Sequence, residues 1–123
     1  MEDFYYRNLN VYQESLQLVA DVYALSILFP TSEQYGLSDQ IKRAVVSVPS
    51  NIAEGMGRFS LKERIHFLEI ACGSLMEVMC RLEIANMVGY IAQEVFVKEE
   101  QAVTRISKML VALRKAMEEK LGN

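Results

Sequence analysis

The chain is poor in helix breakers, histidine, cysteine and net positive charge, and each scarcity removes a class of protein. Two prolines and six glycines in 123 residues supply too few turn signals for a sandwich or barrel of many short strands. A single histidine, His66, leaves no partner for a histidine-rich metal centre and would have to serve any serine or cysteine nucleophile alone. The two cysteines, Cys72 and Cys80, would stand about 12 Å apart on one helix, beyond disulfide reach. We therefore expect free thiols in a reducing compartment. No apolar run reaches the roughly eighteen uncharged residues that a membrane span requires, and Met1-Glu2-Asp3-Phe4 lacks the basic and apolar regions of a secretion signal, so a cytoplasmic protein is expected. The formal net charge of −3 argues against wholesale charge-driven attachment to nucleic acid or to an anionic membrane.

What the sequence does have is helix-forming material in one domain's length. Half of the residues are hydrophobic and 24% are charged, a globular balance large enough to bury a core without disulfides or metals. Polar punctuation divides the chain into four segments of helical period, at about 9–28, 36–57, 61–88 and 95–120. Asn8 or Asn10 is placed to cap the first, which Pro30 stops, and its stripe reads Leu9, Tyr12, Leu16, Val19, Tyr23 and Ile27. The second carries Leu37, Ile41, Val45, Val48, Ile52 and Met56, with Pro49 inside the stripe predicting a kink. Ser60 followed by Glu63 is a capping box that opens the third, whose stripe is Leu61, Leu68, Cys72, Leu75, Val78, Met79, Leu82 and Ala85, with Gly89 placed to end it. The fourth carries Val103, Ile106, Leu110, Leu113 and Met117, with Arg114, Lys115 and Lys120 near its negative end. Short connections make neighbouring helices antiparallel, and the expected architecture is an all-α, up-down-up-down four-helix bundle.

Helices one and three each bear a second apolar line. On helix one it is Val11, Leu18, Val22, Leu25 and Phe29; on helix three it is Gly73, Met76, Cys80 and Ile84, where Gly73 permits close backbone approach. A surface helix in a monomer needs one apolar face. Either the core face is broad, or a second surface is buried by another copy, and we expect the latter, with Val11, Leu18, Val22, Leu25, Gly73, Met76, Cys80 and Ile84 at the interface.

Candidate chemistry is thin. Glu63 and His66 have the Glu-x-x-His spacing of half a dinuclear metal site, but the second half is missing and both residues fall on the polar side of their helix. Gly55-Met56-Gly57 lacks the third glycine and the preceding strand of a phosphate loop. No catalytic residue, metal or cofactor is expected, and the chain reads as a non-enzyme. Helix two has the densest polar face: Asp39 with Arg43 and Glu54 with Arg58 are favourably oriented pairs four apart, flanked by Ser47, Ser50 and Asn51. These are a ladder of surface pairs or, alternatively, a recognition surface of Arg43, Ser50, Asn51, Glu54, Arg58, Lys62 and Arg64 that contacts phosphates if folding gathers it.

Tyr35-Gly36-Leu37-Ser38-Asp39-Gln40-Ile41-Lys42-Arg43-Ala44, continued by Ser47-Val48-Pro49-Ser50-Asn51-Ile52-Ala53-Glu54-Gly55 and Gly57-Arg58, resembles the signature of the large-subunit rRNA intervening-sequence proteins. The likeness extends to Val11-Tyr12-Gln13, Phe29-Pro30, Phe67-Leu68, Gly73-Ser74-Leu75 and Gly89-Tyr90. The resemblance implies a four-helix-bundle protomer in a ring-like homo-oligomer, a pentamer, and supplies no activity. A strongly basic related branch, the accessory proteins of diversity-generating retroelements, binds nucleic acid; the acidic balance here carries that role over poorly. The expectation is a homo-oligomeric scaffold or adaptor for an unidentified protein partner, the alternative being an RNA-binding protein associated with rRNA or the ribosome.

Overall fold

Four α-helices account for most of residues 4–122, the residues described by the computed structural model: α1 (Asn10–Ser26), α2 (Leu37–Met56), α3 (Leu61–Met87) and α4 (Gln93–Gly122). Residues 1–3, on which the leader argument rests, lie outside the described residues. Short 3₁₀ turns at Tyr5–Asn8 and Thr31–Glu33 precede α1 and α2. Helix α1 packs on α2, α2 on α3, α3 on α4, and α4 closes back on α1. This is the up-down-up-down four-helix bundle.

The helix ends follow from local chemistry. Ser60 Oγ accepts the Glu63 N–H at 3.3 Å, while the Glu63 carboxylate turns toward Arg58, 3.9 Å away, so half of the expected capping box forms. Helix α3 ends in a Schellman motif: Gly89 takes φ +82°, its N–H reaches Asn86 O at 3.2 Å, and the Tyr90 N–H reaches Ala85 O at 2.8 Å. Glycine fits there because other residues pay a steric penalty at that φ. The start of α1 differs from expectation, since its cap position falls on Leu9, which offers no side-chain acceptor. The 3₁₀ turn ahead of it engages the Leu9 N–H with Tyr6 O at 3.1 Å. At its other end α1 stops two residues early: the Leu28 and Phe29 amides bond three residues back, tightening the chain before Pro30. Helix α2 runs unbroken through Pro49, although a proline cannot donate to the Val45 carbonyl.

The core is built from Leu18 and Val22 of α1, Ile41, Val48 and Ile52 of α2, Leu68, Leu75 and Leu82 of α3, and Ile106 and Leu110 of α4, all 1% exposed or less. Removing each from water stabilises the fold by about 2 kcal/mol. The stripes expected on α2, α3 and α4 face inward as predicted, with Cys72, Met79 and Leu113 half-buried at their edges.

Helix α1 is the correction. Val11, Leu18, Val22 and Leu25, expected at an oligomer interface, are buried inside the protomer, and Phe29 with them. The line expected to be the core holds Leu16, Tyr23 and Ile27, which are 44%, 44% and 82% exposed. Helix α1 is thus turned by roughly a quarter of its circumference from the expected orientation. Ser15 completes the buried line, its hydroxyl satisfied by Tyr12 O at 2.7 Å, and a small side chain there lets α1 settle against its neighbours. Tyrosines carry a hydroxyl that favours the wet side, so the line bearing Tyr12 and Tyr23 runs along the rim of the core, with Leu9, Tyr12 and Val19 half-buried against it and Leu16, Tyr23 and Ile27 exposed.

Candidate interaction surfaces

The polar face of α2 does not gather into one site. Arg43 stands thirteen residues before the end of α2 at Met56, about 20 Å along the axis at 1.5 Å per residue, and Arg58 lies beyond that end. Arg43 Nε donates to Asp39 at 2.9 Å. Arg58 pairs with Glu54 at 2.6 Å and lies 4.8 Å over the Phe67 ring, while its carbonyl accepts from Arg64 Nε at 2.6 Å. Three of the four candidate phosphate-binding cations are therefore engaged within the protomer, and Lys62 is exposed beside them. Ser50 and Asn51 are turned onto their own helix, Ser50 donating to Val46 O at 2.7 Å and Asn51 to Ser47 O at 2.8 Å and Ser47 Oγ at 2.9 Å. Ser47 in turn meets Ser74 of α3 at 2.7 Å, which makes the serine–asparagine cluster a fastening between α2 and α3. Gly55 serves the same seam: a Cβ there would lie 2.7 Å from the Phe67 Cβ, so only glycine permits this approach.

Two apolar faces lie on opposite sides of the bundle, because the helices follow one another around it. One is an open groove of about 320 Å³ between α1 and α2, lined by Tyr12, Leu16, Val19, Val46, Pro49, Ser50 and Ala53. Lys42 Nζ covers the Tyr23 ring beyond it at 5.4 Å. The other lies between α3 and α4, where Cys80, Glu83, Ile84, Asn86, Met87 and Phe96 line about 390 Å³. Met76 is half exposed one turn away, and the space beside Gly73 is open to 4 Å. All four candidate interface residues of α3 thus lie on its outer side, in contrast to those of α1.

Between α1 and α4 the structure holds a buried acid that the sequence reading missed. Glu99 is 2% exposed, and its Oε2 is buried without a hydrogen-bond partner. Burial, then the facing Asp21 carboxylate, push its carboxyl up to about 7, with Lys98 opposing. Asp21 also accepts from Gln17 Nε2 at 3.0 Å. The signal was present in the spacing, since a step of four back from Val103 lands on Glu99. Arg105 and Glu14, 3.3 Å apart, bridge the same seam, and Arg114 with Glu69, 2.9 Å apart, bridges α4 to α3.

Cys72 and Cys80 are free, and burial raises the Cys72 thiol above its ordinary value, which disfavours the reactive thiolate. His66 is exposed and meets Phe67 edge-on, ring centroids 5.6 Å apart. Among the described residues no group of three or more His, Cys, Asp or Glu side chains is placed to hold a metal ion, and no helix is long and apolar enough to cross a membrane.

A crystal structure of a protein of unknown function from the S23 ribosomal protein family of Bacteroides thetaiotaomicron VPI-5482 superposes with a TM-score of 0.79 at 26% identity, covering 85% of this chain and 95% of that one. No curated protein matches the sequence. The profile of the 23S rRNA-intervening sequence proteins matches residues 7–112, which takes in α1, α2, α3, most of α4 and both apolar faces. The chain belongs to the 23S rRNA-intervening sequence protein family.

Proposed function

We propose that this protein is a non-enzymatic, homo-oligomeric scaffold or adaptor of the cytoplasm whose copies join side to side, the α1/α2 groove of one protomer taking the α3/α4 face of the next. The observation that carries this is the pair of different apolar faces on opposite sides of one bundle. A contact between unlike faces repeats from copy to copy and closes into a ring when the rotation per step allows. The family resemblance supports a ring of five copies. Leu16 and Tyr23 on one side and Met76, Cys80 and Ile84 on the other are the residues removed from water. They replace the α1 residues that the sequence alone put at the interface.

Polar chemistry points the same way. Arg43, Arg58 and Arg64 each give one donor to Asp39, Glu54 and the Arg58 carbonyl, and the Asp39 and Glu54 carboxylates beside two of these cations offset part of the attraction an anionic partner would feel. A protein partner bound to the assembled ring fits these surfaces better than RNA does. The test is a Leu16→Glu, Ile84→Glu double variant. Both sites are partly exposed, so helix content by circular dichroism should hold while the mass falls to one protomer. A folded variant that keeps the wild-type mass would sink the side-to-side assignment.

A further inference from the structure

The end of the bundle where the α1–α2 and α3–α4 loops meet has a surface unlike the rest of the molecule. Tyr90 joins the two loops: its hydroxyl donates to Glu33 Oε2 at 2.8 Å, and its ring lies 5.6 Å from that of Phe29. The other Glu33 oxygen accepts the Leu37 N–H at 3.2 Å. On this braced platform Ile27, Leu28, Tyr35, Met87 and Val88 are 82%, 65%, 88%, 79% and 49% exposed. Residues 26–38 and 84–93 carry one ionised side chain between them, Glu33, and it is occupied by the two donors just named. Asp21 and Glu83 before these segments, and Asp39, paired with Arg43, and Glu94 after them, are the nearest charges along the chain. The opposite end carries Arg7, Arg58, Lys62 and Arg64.

The geometry points to end-to-end pairing at this surface, the occupant being the same end of a second copy. Two-fold contact sets each patch against its own duplicate, so any free charge meets its like; here the only charge within the patch is engaged internally, and the exposed Glu94 stands at its rim. The charged opposite end could not pair with itself in this way. Taking roughly 100 Å² for a Leu-sized side chain, the five residues present on the order of 400 Å² of apolar area, the size at which a surface patch marks an interaction site. Two such patches bury about 800 Å² in total, below the ~1,200 Å² of stable complexes, so one protomer pair is short-lived. Side-to-side rings, on which this inference rests for its strength, present several ends on one face at once, and that multivalency holds two rings together. The account predicts a pair of rings stacked through these loops.

The experiment compares the wild-type chain with a Leu28→Lys, Tyr35→Lys double variant, at two residues outside both side faces, by light scattering at matched concentration, with circular dichroism as the folding check. These side chains are 65% and 88% exposed, so neither substitution disturbs the core. A variant with half the wild-type mass supports end-to-end pairing. Equal masses overturn it, whatever the ring size. A Leu28→Met, Tyr35→Phe variant, which keeps the apolar surface, should retain the full mass; if it halves as well, apolar pairing is refuted. Failure of the side-to-side reading looks different: the Leu16→Glu, Ile84→Glu variant keeps its mass while the end variant halves it.

Discussion

Replacing Glu99 by glutamine isolates the energetic consequence of the buried acid pair. In the folded protein the Glu99 carboxyl titrates at about 7, against 4.5 for a free carboxyl, so between those values the native state holds a proton that the unfolded chain has released. A raised native pKa gives stability that is complete below the unfolded value and lost as pH rises through the folded one. At about 1.4 kcal/mol per pH unit the full shift corresponds to about 3 kcal/mol, and water reaching the half-buried Asp21 side reduces the expected figure to about 2 kcal/mol. Glutamine keeps the shape, stays neutral and can donate to Asp21. Glu99→Gln should therefore match wild type near pH 4.5 and exceed it by about 2 kcal/mol at pH 8, or by roughly 5–10 °C in Tm for a domain of this size. Urea unfolding followed by circular dichroism, at one protomer concentration across that pH range, measures the difference. A stability difference that stays flat with pH would refute the reasoning and mean that Glu99 is solvated and ionised throughout.

Three further outcomes follow from the packing. Leu18→Glu should unfold the protein because it places a charge in the core, whereas Leu16→Glu should leave it folded; circular dichroism of the two variants tests the orientation of α1. Gly55→Ala should cost about 1–3 kcal/mol, because its methyl would meet Phe67 at 2.7 Å and the helices must part to admit it; Phe67→Leu in the same chain should restore part of the loss in thermal melts. Tyr90→Phe should loosen the join between the two end loops, and with the hydroxyl gone the Glu33 carboxyl, now held below its ordinary value by Tyr90 and then by the Leu37 N–H, should titrate higher in a carboxyl-resolved NMR titration.

The parts of the fold that could be read in sequence are those where one apolar line dominates. Helices α2 and α4 each have a single stripe, and their inward faces follow from spacing alone. On α3 two lines compete, but the fuller line of large aliphatic residues won, as volume in a packed core requires. Helix α1 offered two lines of similar apolar content, and counting apolar residues could not separate them. The deciding chemistry was finer: tyrosine hydroxyls on one line, and on the other Ser15, a small residue whose hydroxyl is satisfied by its own helix. The paired arginines were legible at four-residue spacing, yet their separation along α2 becomes decisive only when the helix is known to be continuous from Leu37 to Met56. The join between Glu33 and Tyr90 spans 57 residues of sequence, and no local pattern announces it.

The central claim is that the two apolar side faces meet in a salt-resistant homo-oligomer free of nucleic acid. Light scattering on the purified protein from about 50 mM to 1 M salt, with absorbance at 260 and 280 nm read on the same peak, tests it most directly, because phosphate contacts weaken steeply over that range and apolar contacts do not. The account predicts a mass of five protomers, or of ten where the rings pair end to end, unchanged by salt and with the absorbance ratio of protein alone. A monomer, or a particle that carries RNA and sheds it as salt rises, would contradict it.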